Sequence, residues 1–158
     1  MKVLVTGDRG YIGTVLTQIL RKKSHEVVGY DTDYYAGSDI YDFDSEYSQV
    51  TKDIRDVSLE DIQGISAIIH LSALSNDPLG ELSPALTEEI NLKGTLKLAH
   101  LAKEAGVSRF IYSSSQSMYG ISDTDEVLEE DNSQKNPVTA YARTKWEAEC
   151  QLKELSDN

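Results

Sequence analysis

The chain has 158 residues, which is the length of about one domain. Its hydrophobic residues make up 39% of the sequence and it has ten glycines, the usual share of a globular domain, which excludes intrinsic disorder for most of the chain. The net charge of −12 at pH 7 excludes nucleic acids and anionic membranes as partners, because their phosphates would be repelled.

Targeting and metal signals are also missing from the sequence. No apolar run approaches the roughly 18 residues that a membrane helix needs, and the first apolar run stops at Asp8, too early for a secretory signal. The single Cys150 cannot form an internal disulfide, and no Cys/His cluster has the spacing of metal ligands. We therefore expect a soluble, cytoplasmic protein without a metal.

Short apolar runs alternate along the chain with longer segments of helical periodicity. The short runs predict five β-strands, because they are compact and rich in β-branched residues. These strands are predicted at residues 2–6, 26–31, 49–54, 67–71 and 109–113. Helices are predicted at residues 11–23, 84–105 and 137–155, where the apolar residues recur at helical spacing or a proline and a glycine mark the two ends.

Nearly continuous apolar strands separated by helices predict a parallel sheet that is covered on both faces. Right-handed crossovers between such strands leave few possible topologies. The polar segments 31–61 and 119–136 predict loops. The acids of the first form a solvated surface, and the second is able to order over a ligand.

Three glycines lie between the first strand and the first helix, in the sequence Thr6-Gly-Asp-Arg-Gly-Tyr-Ile-Gly13. The pyrophosphate of a dinucleotide needs a tight turn at Gly7, a close backbone approach at Gly10 and close packing of helix on strand at Gly13. Free N–H groups and the positive end of the helix dipole attract the anion there. The alternative is a turn before a closely packed helix, with no ligand.

Asp31 ends the second strand 18 positions after Gly13, close to the roughly 20 expected for an acid that binds the ribose of a dinucleotide. A carboxylate at this place accepts from the ribose hydroxyls and repels a 2′-phosphate. No Arg or Lys follows Asp31 before Lys52. The sequence therefore favours NAD over NADP, the alternative being a surface acid at a strand end.

Tyr141 and Lys145 are one helical turn apart on the last predicted helix, so both side chains lie on the same face. A free tyrosine has a pKa of about 10, and an adjacent cation lowers it toward the range of a useful base. The serines after the fifth strand would emerge beside a bound cofactor, because ligands bind at the carboxyl ends of parallel strands. The alternative for Tyr141 and Lys145 is a pair of surface residues without a role in catalysis, and the alternative for the serines is a turn with local backbone hydrogen bonds.

Taken together, these motifs resemble the extended short-chain dehydrogenase/reductases, specifically the NAD-dependent sugar-nucleotide epimerase/dehydratase branch. Besides the glycine motif and Asp31, the resemblance rests on Lys52-Asp-Ile-Arg-Asp56, Ile69-His-Leu-Ser-Ala73, Asn91-Leu-Lys-Gly-Thr95, Ser113-Ser-Ser-Gln-Ser-Met-Tyr-Gly120 and Tyr141-x-x-x-Lys145. It implies that Ser115, Tyr141 and Lys145 are catalytic. It assigns cofactor binding to Gly7, Gly10, Tyr11, Ile12, Gly13, Asp31, Asp53, Ile54, Leu71, Ser72, Ala73, Asn91, Ser113, Tyr141 and Lys145.

Within these assignments, Asp53 and Ile54 would contact the adenine and Asn91 would lie near the nicotinamide. Dehydratases of the family usually carry an Asp-Glu pair after the catalytic residue, whereas Gln116 and Ser117 follow Ser115 here. The resemblance therefore favours a 4-epimerase that acts on a nucleotide-sugar through a transient keto sugar. A non-catalytic NAD-binding module and a sugar-nucleotide reductase or dehydrogenase are the alternatives.

Members of this family continue past the Tyr/Lys helix with further strands and a part that holds the nucleotide-sugar. The resemblance implies that residues 1–158 are an NAD-binding Rossmann domain, a doubly wound α/β fold with about five parallel strands in the order 3-2-1-4-5. It would stop before the sixth strand and lack the substrate-binding part. We expect a fragment of a longer protein rather than a natural truncation, which leaves turnover by the isolated chain open. The open sheet would favour self-association, with a homodimer as a possible result.

Overall fold

A five-stranded parallel sheet forms the centre of the computed structural model, which describes residues 1–38, 46–121 and 127–157. The strands are β1 (Lys2–Thr6), β2 (Glu26–Asp31), β3 (Ser48–Thr51), β4 (Ala67–His70) and β5 (Arg109–Tyr112). They pair in the order β3-β2-β1-β4-β5, and each neighbouring pair is parallel. The predicted fold and strand order are confirmed. Residues 39–45 and 122–126 of the two predicted loops lie outside the described residues.

Helices cover both faces of the sheet. They are α1 (Tyr11–Lys22), α2 (Asp77–Glu81), α3 (Pro84–Thr87), α4 (Thr95–Glu104) and α5 (Ala140–Asp157). A π-helical segment, Glu88–Gly94, joins α3 to α4, and short 3-10 helices occupy Ile54–Asp56, Leu59–Ile62 and Gln116–Tyr119. None of the helices in these described ranges is both long and apolar enough to cross a membrane.

Two predicted boundaries differ from those of the structure by three residues, and a side-chain cap explains each difference. The third strand ends at Thr51 rather than at residue 54, because the Asp53 carboxylate accepts from the Arg55 amide at 2.9 Å and starts a 3-10 helix. The last helix begins at Ala140 rather than at residue 137. There the Thr139 hydroxyl accepts from the Ala142 amide at 3.1 Å, as an N-terminal cap does.

The strands bury alternate residues on opposite faces of the sheet. Leu4, Val28 and Ile68 point to the side covered by α4, where they pack with residues such as Leu98. Val3, Val5 and Val27 form a second cluster against Leu16 and Leu20 of α1. Because all strands run the same way, the glycine-rich loop, Asp31 and the serines after β5 meet at the carboxyl edge of the sheet.

Candidate active site

The glycine-rich loop turns tightly from β1 into α1. Gly7 has a φ of +74°, which favours glycine, and its amide donates to the Tyr30 carbonyl at 2.8 Å. A Cβ on Gly13 would lie 2.1 Å from the Gly7 carbonyl oxygen, so helix and loop are in direct backbone contact. Because the first amides of a helix have no acceptor within it, the loop presents N–H donors beside exposed Tyr11 and Ile12.

Asp31 lies where the sequence predicted it, at the end of β2 next to this loop. Its Oδ2 accepts from the Arg9 amide at 3.3 Å, and its Oδ1 accepts from the Asp33 amide at 2.9 Å. The carboxylate is half-buried, and these bonds fix its orientation. Oδ1 also accepts from the Thr32 hydroxyl at 3.4 Å, so it is Oδ2 that has a further lone pair with which to accept from a ribose hydroxyl.

Asp53 and Ile54, assigned to the adenine, have different surroundings. Asp53 forms an ion pair with Arg55 at 2.7 Å, and the Arg55 hydrogen bonds hold the pKa of the Asp53 carboxyl below its usual range. The Ile54 side chain is buried in the core on the α4 side of the sheet. Only the backbone of Ile54 is therefore available for a contact with an adenine.

A buried chain of hydrogen bonds holds the end of β4 against the glycine-rich loop. The Thr6 hydroxyl accepts from the Leu71 and Ser72 amides at 3.2 and 3.3 Å and lies 2.6 Å from His70 Nδ1. His70 Nε2 lies 2.8 Å from the Thr95 hydroxyl, which donates its own proton to the Asn91 carbonyl at 2.7 Å. His70 is therefore the neutral tautomer with its proton on Nε2.

These hydrogen bonds hold the backbone of two predicted cofactor residues, Leu71 and Ser72, and the third, Ala73, follows them directly. All three are half-buried after β4. The same chain of hydrogen bonds also accounts for Asn91, which was expected near a nicotinamide. The Asn91 side chain is buried, and its two amide atoms bond the Leu74 amide at 2.8 Å and the Leu74 carbonyl at 3.1 Å. Asn91 thus shapes the loop after β4.

Tyr141 and Lys145 occupy the face of α5 that meets the end of β5. Both are buried, and the Lys145 ammonium donates to the Ser113 carbonyl at 2.9 Å. Its Nζ lies 5.9 Å from the Tyr141 ring centroid and 4.8 Å from that of Tyr112. Burial lowers the pKa of Lys145 to about 8, so the side chain is still mostly a cation at neutral pH.

The three consecutive serines after β5 have separate contacts. The Ser113 carbonyl accepts from Lys145, and the Ser114 hydroxyl donates to the Glu149 carboxylate at 2.6 Å. The Ser115 hydroxyl accepts from the Ser117 amide at 3.2 Å, which leaves its proton as a donor. Glu149 was missed in the sequence, although it extends the row of Tyr141 and Lys145 by one more turn.

Helix α2 supports the start of α5 and was not predicted from the sequence. The Asp77 carboxylate accepts from the Thr139 hydroxyl and, at 3.2 Å, from the Ser117 hydroxyl, while Glu81 accepts from the Ala140 amide. Both carboxylates therefore lie at the positive end of the dipole of α5. The available signal was Asn76 followed by Asp77 and Pro78, a typical helix start.

Residues 3–158 match the NAD dependent epimerase/dehydratase family. The chain belongs to this family. A UDP-glucose 4-epimerase from Rhizobium meliloti (strain 1021) is 31% identical over 157 residues, which are 96% of this chain and 46% of the relative. The dTDP-D-glucose 4,6-dehydratase from Mus musculus is 30% identical over 159 residues, 94% of this chain and 44% of the relative.

A solved structure described as MoeE5 in complex with UDP-glucose and NAD has the same fold. It superposes with a TM-score of 0.85 at 28% identity, over 100% of this chain and 50% of that one. The chain thus spans about half the length of the relatives that it matches. Proteins of the family are enzymes that depend on NAD, and the relatives include both epimerases and a dehydratase.

Proposed function

We propose that residues 1–158 form an NAD-binding domain and that the glycine-rich loop, Asp31 and the end of β4 hold the dinucleotide. The support is the tight turn from Gly7 to Gly13, in which the helix packs so closely on the loop that a Cβ at Gly13 would overlap the Gly7 carbonyl oxygen. The amides at the start of α1 would bind the pyrophosphate, and Asp31 would accept from the adenosine ribose. The MoeE5 complex, with NAD bound in the same fold, agrees with this assignment.

We propose that this domain serves the 4-epimerisation of a nucleotide-sugar. The observation that carries the proposal is the arrangement of Tyr141 and Lys145, in which a buried cation is anchored on the strand end that presents Ser115. Tyr141 lies one helical turn from this cation, and its phenolic oxygen can exchange a proton with a sugar hydroxyl. Ser115, with its proton available, can donate to the same sugar oxygen.

In this reaction the phenolate of Tyr141 removes the proton from the sugar 4-hydroxyl and returns it after the sugar has turned over. Bound NAD supplies the chemistry of hydride acceptance and return. The sugar would be neither oxidised nor reduced overall, because acceptance and return of the hydride would cancel. Ser115 holds the oxygen in both steps, and Lys145 remains charged.

The absence of an acidic pair after Ser115 favours epimerisation over dehydration. Gln116 and Ser117 occupy these positions, and neither can protonate a leaving hydroxyl as a carboxylic acid can. The nearby Asp77 accepts from the hydroxyls of Ser117 and Thr139, which engages its two oxygens. A reductase or dehydrogenase and a non-catalytic NAD-binding module are the other candidates.

Incubation of the protein with NAD and UDP-glucose, followed at the nicotinamide absorbance band, separates these candidates. We expect a transient absorbance change, formation of the 4-epimer and no net NADH, and both the absorbance change and the 4-epimer should be lost in Tyr141→Phe. Net NADH would indicate a dehydrogenase. Tight NAD binding with no response to any nucleotide-sugar would indicate a binding module.

We further propose a cytoplasmic protein that associates as a homodimer. The support for association is the apolar surface on one side of the sheet, where Val15 and Ile19 of α1 and Ile111 of β5 are each about half exposed. Sedimentation at several concentrations tests it. A dimer supports the proposal, and a monomer at every concentration contradicts it.

A further inference from the structure

The glycine-rich loop contains a buried acid that the cofactor assignments do not use. Asp8 follows Gly7 directly, yet only 1% of its surface is exposed. Its side chain points beneath the loop to the α1 side of the sheet. There a Cβ on Gly29 of β2 would lie 2.2 Å from Asp8 Oδ2. Glycine at position 29 therefore makes room for this carboxylate.

Polar groups from β3 and the segment before it hold one oxygen of Asp8. Oδ2 accepts from the Tyr47 hydroxyl at 2.8 Å and from the Gln49 amide at 3.0 Å. Oδ1 is buried and has no hydrogen-bond partner among the described residues. A buried carboxylate with an unpaired oxygen is costly in its charged form, whereas the protonated acid requires less solvation.

The surroundings of Asp8 both raise and lower the pKa of its carboxyl group. Burial raises the pKa of the Asp8 carboxyl most, the Tyr47 hydrogen bond lowers it, and the charge of Asp31 raises it. Arg9 and Gln49 lower it by smaller amounts, and the net direction is upward. From the α1 side, the Arg21 guanidinium lies 5.5 Å from the Tyr47 ring centroid.

We propose that Asp8 takes up a proton when a dinucleotide binds, and that it thereby sets how binding depends on pH. The proposal rests on the proposed function, in which the pyrophosphate binds to the amides of this same loop. The arriving anion and the Asp8 carboxylate are both stabilised by the positive end of the α1 dipole, and they repel each other. Protonation of Asp8 removes that repulsion.

The sign of the effect follows from linkage. If the bound state holds more protons than the free state, affinity falls as the pH rises through the range in which Asp8 titrates. Asp31, by contrast, would contact the ribose hydroxyls directly. Asp8 is therefore a second acid of the site that disfavours additional negative charge, and it does so without touching the ligand.

Titration calorimetry with NAD, in pairs of buffers that differ in ionisation heat, measures the protons taken up on binding. For the wild-type protein we expect uptake and an affinity that falls about threefold or more per pH unit within the titration range of Asp8. Asp8→Asn should bind with no such uptake and with a flat pH profile. Asp33→Asn is the matched control, since it removes a neighbouring charge but should keep the uptake.

The results separate this inference from the proposed function. NAD binding with the same pH slope in wild type and Asp8→Asn overturns the inference and leaves the NAD site standing, whereas no NAD binding by either protein overturns both. If Asp8→Asn does not fold, carbon NMR of the Asp8 carboxyl in the wild-type protein decides. An upward shift of its pKa on adding NAD supports the inference, and an unchanged pKa overturns it.

Discussion

The Ser114 hydroxyl donates to the Glu149 carboxylate at 2.6 Å, and this contact joins the strand end that carries Ser115 to the helix that carries Tyr141 and Lys145. One turn earlier on the same helix, the Lys145 ammonium donates a second hydrogen bond, to the Ser113 carbonyl. Two consecutive residues after β5 are thus bonded to two consecutive turns of α5. The position of Ser115 relative to Tyr141 depends on both bonds.

Replacement of Glu149 tests the hydrogen bond between Ser114 and Glu149. Glu149→Ala should lower the free energy of unfolding by about 1.5–3 kcal/mol, because it removes a hydrogen bond to a charged group that is partly buried. Glu149 also pairs with exposed Lys153 at 2.9 Å, so Lys153→Ala is the control and should cost less than about 0.5 kcal/mol. Urea unfolding measures both. Equal losses would show that the Ser114 bond contributes little.

His70 should make the protein sensitive to acid. Burial, and then the charge of Lys145, lower the pKa of His70 to about 3, whereas an unfolded histidine titrates near 6.5. Between these values the unfolded chain binds the proton and the native state does not, so stability falls as the pH falls, by about 1.4 kcal/mol per pH unit.

Urea unfolding of His70→Gln between about pH 3.5 and 7 checks this effect. The variant should lose less stability with falling pH than the wild-type protein does. His100→Gln, which changes an exposed histidine of α4, should follow the wild-type profile. Parallel profiles for all three proteins would contradict the neutral buried state of His70.

Replacement by alanine should have different effects at Gly10 and Gly13, lowering NAD affinity at the first and stability at the second. A Cβ on Gly13 would lie 2.1 Å from the Gly7 carbonyl oxygen, so Gly13→Ala should cost about 2 kcal/mol or more of stability. A Cβ on Gly10 would have a nearest contact of 3.2 Å, and the φ of −77° suits alanine.

Gly10→Ala should therefore change stability by less than about 1 kcal/mol. It should nevertheless weaken NAD binding about tenfold or more, because the methyl group occupies the path of the pyrophosphate. Thermal unfolding of both variants measures their stability, and titration calorimetry measures their affinity for NAD. NAD affinity unchanged in a folded Gly10→Ala protein would place the pyrophosphate elsewhere.

Lys145 should destabilise the native state at neutral pH. Its pKa of about 8 lies below the usual 10.5, so between these values the native state binds fewer protons than the unfolded chain and stability rises with pH. Lys145→Met should be roughly 1–2 kcal/mol more stable than the wild-type protein near pH 7 and lose this advantage near pH 10. Lys153→Met, on the exposed face, should show no such trend. Unfolding in urea at both pH values measures the difference.

The sequence predicts the strands well because a buried parallel strand needs a compact apolar run and little else. The predicted topology also places Gly7, Asp31 and Tyr141 near the carboxyl edge of the sheet, because all parallel strands end on that side. The contacts that shape the site are harder to predict. Asp8 is hydrogen-bonded to Tyr47, 39 positions away in the sequence, and Ser114 to Glu149, 35 positions away. Such pairs depend on how layers pack, which no local pattern encodes.

Calorimetric titration of the wild-type protein and Asp31→Ala with NAD and with NADP tests the dinucleotide site most directly. The Asp31 carboxylate should accept from a ribose diol and repel a 2′-phosphate. We expect NAD to bind at least about tenfold more tightly than NADP to the wild-type protein, and the ratio to narrow in Asp31→Ala. Equal affinities of the wild-type protein for the two dinucleotides, or an unchanged ratio in the variant, would contradict this assignment.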